Sequence, residues 1–350
     1  MHRRQFLQTL AAAPVAAATP TTSVRPPTLP DTPPLIKPKR LAPGDTVGVV
    51  SPASATFNSI DVQIAKESLE ALGLRVRIGE HLLARHGYLG GEDKARADDI
   101  NAFFADQTIA AVHPIRGGWG SSRVLPYLDY DLIRRNPKII LGYSDITALL
   151  LAIHAKTGLV TFHGPIALGR WDTFSVDYYR RVLFNGEPVL MQNLHELSDR
   201  NSLTPIEYRV QTITPGKARG RLLGGNLTVL TTIVGSPYLP DWDGCIFFCE
   251  DVHEDLYRID RMLTQLKLAG VLDRIKGFVF GSCAECSPGE GFASLTLEEI
   301  FADHIKPLGI PAWSGAMIGH QMPQWTIPEG IEAEIDATVG SIKLLSSGVR

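Results

Sequence analysis

The sequence predicts an α/β protein with an N-terminal, mostly parallel α/β lobe bearing a nucleophile elbow and a smaller C-terminal lobe of mixed and antiparallel strands. Three observations predict it. Short apolar runs alternate with stretches of helical spacing through the first half, the pattern of strands and crossover helices in a parallel sheet. The C-terminal stretch, with Ile331, Ala333 and Ile335 and then Ile342 and Leu344, alternates with period two, as antiparallel strands do. At 350 residues the chain is long enough for two domains, each with its own core, since single cores rarely grow beyond about 250–300 residues.

The elements follow in order. Arg3-Arg4 precede an apolar, alanine-rich stretch ending in Ala16-Ala17-Ala18, so residues 1–18 are expected to be a twin-arginine-type export signal. Residues 19–39 hold Pro20, Pro26, Pro27, Pro30, Pro33, Pro34 and Pro38, which exclude a helix or central strand and predict a linker. The N-terminal lobe, residues 40–185, opens with the strand Thr46–Val50, the loop at Ser51 and a helix over Ile60–Leu72. A strand at Leu74–Ile78, a helix at Ala95–Phe104, a strand at Ile109–Ile115, a strand at Lys138–Tyr143 and a helix opened by Asp145 come next. Residues 186–217 lack periodicity and read as a connection. The C-terminal lobe, 218–350, takes a β-like segment from Ala218, a helix from about Asn226, the strand Cys245–Cys249, an amphipathic helix Leu256–Leu268, a strand Gly277–Phe280 and a helix near Leu297–His304.

A formal net charge of −3 and the lack of a Lys/Arg block argue against a nucleic-acid binder or an anionic-membrane binder. Beyond the extreme N-terminus no apolar run approaches the roughly 20 residues of a membrane span, so the mature chain is expected to work off the membrane on a small molecule. Cys245 and Cys249 sit in an apolar strand, as small buried hydrophobes do. Cys283 and Cys286 have C-x-x-C spacing; a metal is not favoured, and a disulfide becomes available if the chain is exported.

The strand at Ile109 feeds Arg116-Gly117-Gly118-Trp119-Gly120-Ser121-Ser122-Arg123, a glycine-rich turn that delivers a serine at a helix start. That is the layout of a nucleophile elbow without the G-x-S-x-G spelling; an ordinary strand-to-helix turn has the same local sequence. A serine needs a base and an orienting acid. His163 and His320, each ending a strand or following one, are the candidate bases, and Glu250-Asp251 after a buried strand are candidate acids. Asp145 is set aside as a helix cap.

Ordered motifs then carry a resemblance. Gly87-Tyr88-Leu89-Gly90-Gly91-Glu92-Asp93-Lys94, the glycine turn, Gly142-Tyr143-Ser144-Asp145-Ile146-Thr147, His163-Gly164-Pro165, Gly224-Gly225-Asn226-Leu227, Glu250-Asp251, Tyr257-Arg258-Ile259-Asp260-Arg261 and Gly319-His320 resemble the LD-carboxypeptidase family, the S66 serine peptidases, over about residues 41–340. The resemblance implies a cofactor-free hydrolase with a Ser-Glu-His triad, in which Ser121 is the nucleophile, Glu250 the orienting acid and His320 the base. The backbone N–H of Ser122, with that of Gly117 or Gly118, would bind the oxyanion. It also implies a substrate, a muropeptide tetrapeptide losing its terminal D-alanine at an L-to-D linkage. Trp119 stands where the family often has tyrosine. An export signal would place the activity in the periplasm, against a cytoplasmic alternative. Relatives that cleave a peptide-nucleotide antibiotic, and a non-catalytic muropeptide binder, are the rival readings. The sequence leaves a homodimer open.

Overall fold

The computed structural model describes residues 33–193, 208–289 and 293–350, all within one compact unit, Thr32–Arg350. The expected export signal and most of the linker lie outside the described residues.

Strands β1 (Thr46–Val50), β2 (Arg75–Ile78), β3 (Ile109–Pro114), β4 (Ile139–Gly142) and β5 (Phe162–His163) run parallel in the order β5-β4-β3-β1-β2. Helices α1 (Ser59–Ala71), α2 (Asp93–Ala105), α3 (Tyr130–Arg135) and α4 (Thr147–Thr157) make the crossovers, and α5 (Thr173–Tyr179) follows β5. The chain next supplies β6 (Leu190–Gln192), β7 (Gln211–Thr214), β8 (Lys217–Asn226), β9 (Ile246–Val252), β10 (Gly277–Ala284) and β11 (Ala312–Ser314) to a second sheet. It returns to the first sheet with β12 (Ile327–Pro328), antiparallel to β5, and finishes the second with β13 (Glu332–Asp336) and β14 (Ser341–Leu344). The second sheet has eight strands in the order β6-β14-β13-β8-β9-β10-β11-β7, parallel from β8 to β11 and antiparallel elsewhere. It carries α6 (Leu227–Thr232), α7 (Leu256–Leu268) and α8 (Leu297–His304).

The expectation of two cores is replaced by two apolar layers that each cross both sheets. Adjacent strand residues point to opposite faces, and Ile139/Ile140, Leu222/Leu223 and Ile246/Phe247 divide accordingly. Ile140, Leu223 and Phe247 join one layer with the inner faces of α2, α4, α6 and α7; Ile139, Leu222 and Ile246 join the other with α1 and α5. Helix α4 is apolar nearly all round, as a helix enclosed by other elements must be, and only Ala155 and Lys156 fail to be buried along it. Its first residue receives the second lobe directly: Asn226 N–H donates to Thr147 Oγ1 at 2.9 Å. The segment 186–217 contributes β6 and β7, edge strands of the second sheet, which short polar sequences with partners far along the chain do not announce.

Shared layers make a cooperative unit. Phe247→Ala removes a fully buried ring seated against Trp242 and Phe278 and should cost about 3–5 kcal/mol. Urea unfolding followed by circular dichroism and by tryptophan fluorescence should show one coincident transition, displaced as a whole in the variant; a first-lobe transition left unmoved would contradict shared layers.

Candidate active site

The carboxyl ends of β1, β3 and β4 open on one side of the first sheet, where ligands of open α/β sheets gather. β4 ends at Gly142, and after Tyr143 the chain enters Ser144 with φ of +62°, before a 3₁₀ turn over Ser144–Ile146 that leads into α4. A serine held in the left-handed region is uncommon and strained. Strand, strained half-buried serine and helix start together make an elbow, and the N–H of Asp145 lies in the first turn, where helix N–H groups lack intrahelical partners. The glycine turn leaving β3 packs onto it. A Cβ on Gly117 would stand 3.0 Å from Ser144 Cβ, 3.2 Å from its Oγ and 3.4 Å from the Asp145 nitrogen, so glycine allows this approach without crowding the serine.

Ser121 is placed differently from the sequence expectation. It is fully buried, its N–H donates to Asp145 Oδ2 at 2.7 Å, and its hydroxyl donates to the Asp145 carbonyl oxygen. Ser122 is half-buried beside the exposed rings of Tyr88 and Trp119. Asp145, set aside as a cap for its own helix, instead spans to the glycine turn; burial pushes its carboxyl up, partly offset by the N–H groups of Ser121 and Gly120.

Glu250 lies inside β9 rather than after it, and is fully buried. Its Oε2 is 2.8 Å from His320 Nδ1, and its Oε1 accepts from Asn226 Nδ2 at 3.1 Å. Gly319, at φ of +113°, makes that approach possible, since a Cβ there would fall 2.6 Å from Glu250 Oε2. With Nδ1 on the carboxylate, Nε2 is the nitrogen available for a substrate-side proton. The His320 ring meets edge-on, at 5.0 Å, the ring of Tyr143, the residue before Ser144. Burial opposes the imidazolium, yet the charge and hydrogen bond of Glu250 raise His320 above the ordinary histidine value; burial likewise opposes the carboxylate, yet His320 holds Glu250 below the ordinary range.

His163, the other candidate base, is fully buried with neither ring nitrogen hydrogen-bonded, and burial lowers it to about 4. It is neutral packing between Tyr143 and Phe248. Asp251 points to α6, accepting from the Thr228 N–H at 3.0 Å and its hydroxyl at 2.9 Å. Cys283 and Cys286 form a disulfide, and Cys245 and Cys249 are buried free thiols. The structure therefore joins Glu250 and His320 and sets them against the Ser144 loop, whereas Ser121 faces Asp145. The available signal was Gly142-Tyr143-Ser144, the first three places of the elbow spelling at the very end of a strand.

The pair has a pH signature. A base acts only when neutral, so the acidic limb of kcat/KM should fall above pH 6.5, and Glu250→Gln should both lower kcat and move that limb down. The raised imidazole stabilises the fold below pH 6.5 and loses this as pH rises through its folded value; the depressed Glu250 stabilises above pH 4.5 and loses this as pH falls. A pH–rate profile of both proteins checks the shift, and an unmoved limb in the variant would detach Glu250 from His320.

Known proteins resemble this chain over most of its length. The model of the LD-carboxypeptidase N-terminal domain matches residues 47–164, and that of the LD-carboxypeptidase C-terminal domain matches residues 219–335. A Bacillus subtilis protein described as a probable murein peptide carboxypeptidase is 39% identical over 318 residues, covering 89% of this chain and 95% of its own. The microcin C7 self-immunity protein MccF of Escherichia coli is 31% identical, covering 85% of this chain and 92% of its own. The crystal structure of muramoyltetrapeptide carboxypeptidase from Oxalobacter formigenes superposes with a TM-score of 0.72 at 26% identity, covering 85% of this chain and 97% of that one.

Proposed function

The chain belongs to the LD-carboxypeptidase family and is a serine-type carboxypeptidase; from this membership we propose that it removes the terminal D-alanine of muropeptide tetrapeptides, with Ser144 rather than Ser121 as nucleophile. The observation that carries the reading is the strained Ser144 next to Tyr143, whose ring meets that of His320, itself 2.8 Å from the buried Glu250 carboxylate. The murein peptide and muramoyltetrapeptide names of its relatives support the substrate.

In this mechanism His320 Nε2 takes the Ser144 proton as Oγ bonds to the scissile carbonyl carbon. The negative oxygen that forms is received by the N–H of Asp145 and by the glycine turn at Gly117 and Gly118. Collapse breaks the C–N bond as His320 returns the proton to the departing amine, and water, activated by the same imidazole, hydrolyses the acyl-serine. Glu250 fixes the tautomer and balances the imidazolium. Ser121 and Asp145 hold the oxyanion donors in place, so the Ser122 N–H expected from sequence is replaced by that of Asp145.

Purified variants with muramoyl tetrapeptide, and D-alanine release followed by mass spectrometry, test the assignment. Ser144→Ala should lose at least about 10³-fold in kcat, and Ser121→Ala should retain the nucleophile and fall far less. Loss confined to Ser121→Ala would overturn it. Cleavage of a peptide-nucleotide conjugate by the wild type, with no action on the tetrapeptide, would favour the activity of the MccF branch. We also propose that the chain is exported, on the strength of Arg3-Arg4 and the stretch after them. Cell fractionation should find the wild type in the periplasm and an Arg3→Lys/Arg4→Lys variant retained inside; equal distribution would refute export.

A further inference from the structure

A carboxypeptidase must recognise the free carboxylate of the residue it removes, and a buried cation lacking an anion is the group suited to it. Three arginines surround the glycine turn. Arg96 is fully buried and pairs with Asp93 Oδ1, while also donating to the Gly120 carbonyl at 2.9 Å; Arg123 pairs with Asp93 Oδ2 at 3.0 Å. One carboxylate thus neutralises two of the three. Arg116, the residue before Gly117, is half-buried and has no ion pair among the described residues. Its contact is a long 3.4 Å bond from Nη1 to the Ala55 carbonyl, and its Nε is buried without any hydrogen-bond partner.

Buried donors without partners are rare, because each carries the full desolvation penalty. The surroundings hold Arg116 in this state. Leu168 N–H donates to the Ile115 carbonyl at 3.0 Å on one side, and Ser54 N–H donates to the Gly117 carbonyl at 3.3 Å on the other, so the backbone that bears the guanidinium is fixed. The position also suits the chemistry. In the substrate the leaving residue's carboxylate lies about one residue, roughly 3.6 Å of chain, beyond the scissile carbon. Its partner must therefore stand beside the nucleophile's loop, and Gly117, the next residue after Arg116, is the one in contact with Ser144.

We propose that Arg116 is the carboxylate-binding group of this enzyme, reading the free C-terminus of the peptide through its unpartnered guanidinium face. This rests on the carboxypeptidase reading and gives that reading its specificity: a peptide with an ionised terminus supplies the missing anion, and a neutral amide terminus does not. Arg116 is a specificity residue, with no proton to transfer in the reaction.

The experiment compares the tetrapeptide with the same peptide ending in D-alaninamide, for the wild type, Arg116→Ala, Arg116→Lys and, as a control, the exposed Arg170→Ala. The wild type should prefer the free acid by about 100-fold in kcat/KM, the size of a charge-assisted pair. Arg116→Ala should lose that factor on the acid, mainly in KM, and stay near wild type on the amide, bringing the preference close to one. Arg116→Lys should restore part of it, and Arg170→Ala should keep all of it. A parallel loss on both peptides would mark Arg116 as merely structural, and an intact acid preference in Arg116→Ala, or one lost in Arg170→Ala, would also overturn the assignment. Failure of the wild type on both peptides would instead remove the carboxypeptidase reading itself.

Discussion

Two hydrogen bonds between Asp145 and Ser121 join the ends of neighbouring strands, and the geometry of the site depends on them. The carboxylate of Asp145 receives the Ser121 N–H, and the Asp145 carbonyl receives the Ser121 hydroxyl. The clip is closed from both sides, so the turn leaving β3 cannot slide over the turn leaving β4. Gly117 can then lie within van der Waals reach of Ser144, and the backbone proposed to receive the oxyanion is held in place. Preorganised donors of this kind work because they need no reorientation as charge develops. The carboxyl of Asp145 is raised by burial, so its ionised form weakens the folded state as pH climbs: local stability is given up where the chemistry needs fixed dipoles.

The second half of the site is held by a chain crossing. After β11 the backbone runs against the end of β10, with Ala316 N–H on the Phe280 carbonyl at 3.2 Å and Ser282 N–H on the Ile318 carbonyl at 3.2 Å. It turns at Gly319, presents His320 to Glu250, and then enters the first sheet as β12, where Ile327 pairs with His163. The loop bearing His320 is thus anchored at one end in the second sheet and at the other in the first. Because both apolar layers also run through both sheets, Ser144 and His320 are not carried by independently moving lobes. Sites built on such rigid supports hold their reacting atoms closely.

What the sequence made legible was whatever depends on near neighbours. The runs at Thr46, Ile109 and Lys138, and the helical spacing from Leu256, are local patterns, and they lie where those patterns put them. Glu250 and His320 could be singled out as candidates, each being attached to an apolar strand within a few residues, and the fold adds that they meet at 2.8 Å. Ser121 misled for a physical reason: a glycine-rich turn before a serine looks the same whether the hydroxyl faces substrate or a carbonyl 24 positions along. Only the fold reveals that the partner is Asp145. The strain at Ser144 is similarly invisible, because its positive φ is not announced by a glycine in its own place. The edge strands β6, β7 and β12 are two to four residues long and are defined by distant partners, so period alone does not find them.

Glu250 and Asp251 show how adjacent identical charges come to do different work. As neighbours on one strand they face opposite sides, Glu250 toward His320 and Asp251 toward the start of α6, while Asn226 donates to both at 3.1 Å. Two anions so close in a dry interior repel, and the cation settles which stays ionised. His320 holds Glu250 below the ordinary carboxylate range, whereas burial, reinforced by the charge of Glu250, pushes Asp251 up to about 7. Near neutrality the imidazole therefore sits against one full carboxylate, while the second, on the other side of the strand, is only partly ionised. That balance suits a base that must carry a proton briefly and release it: a second full anion beside it would bind the proton more tightly and slow its return to the leaving amine.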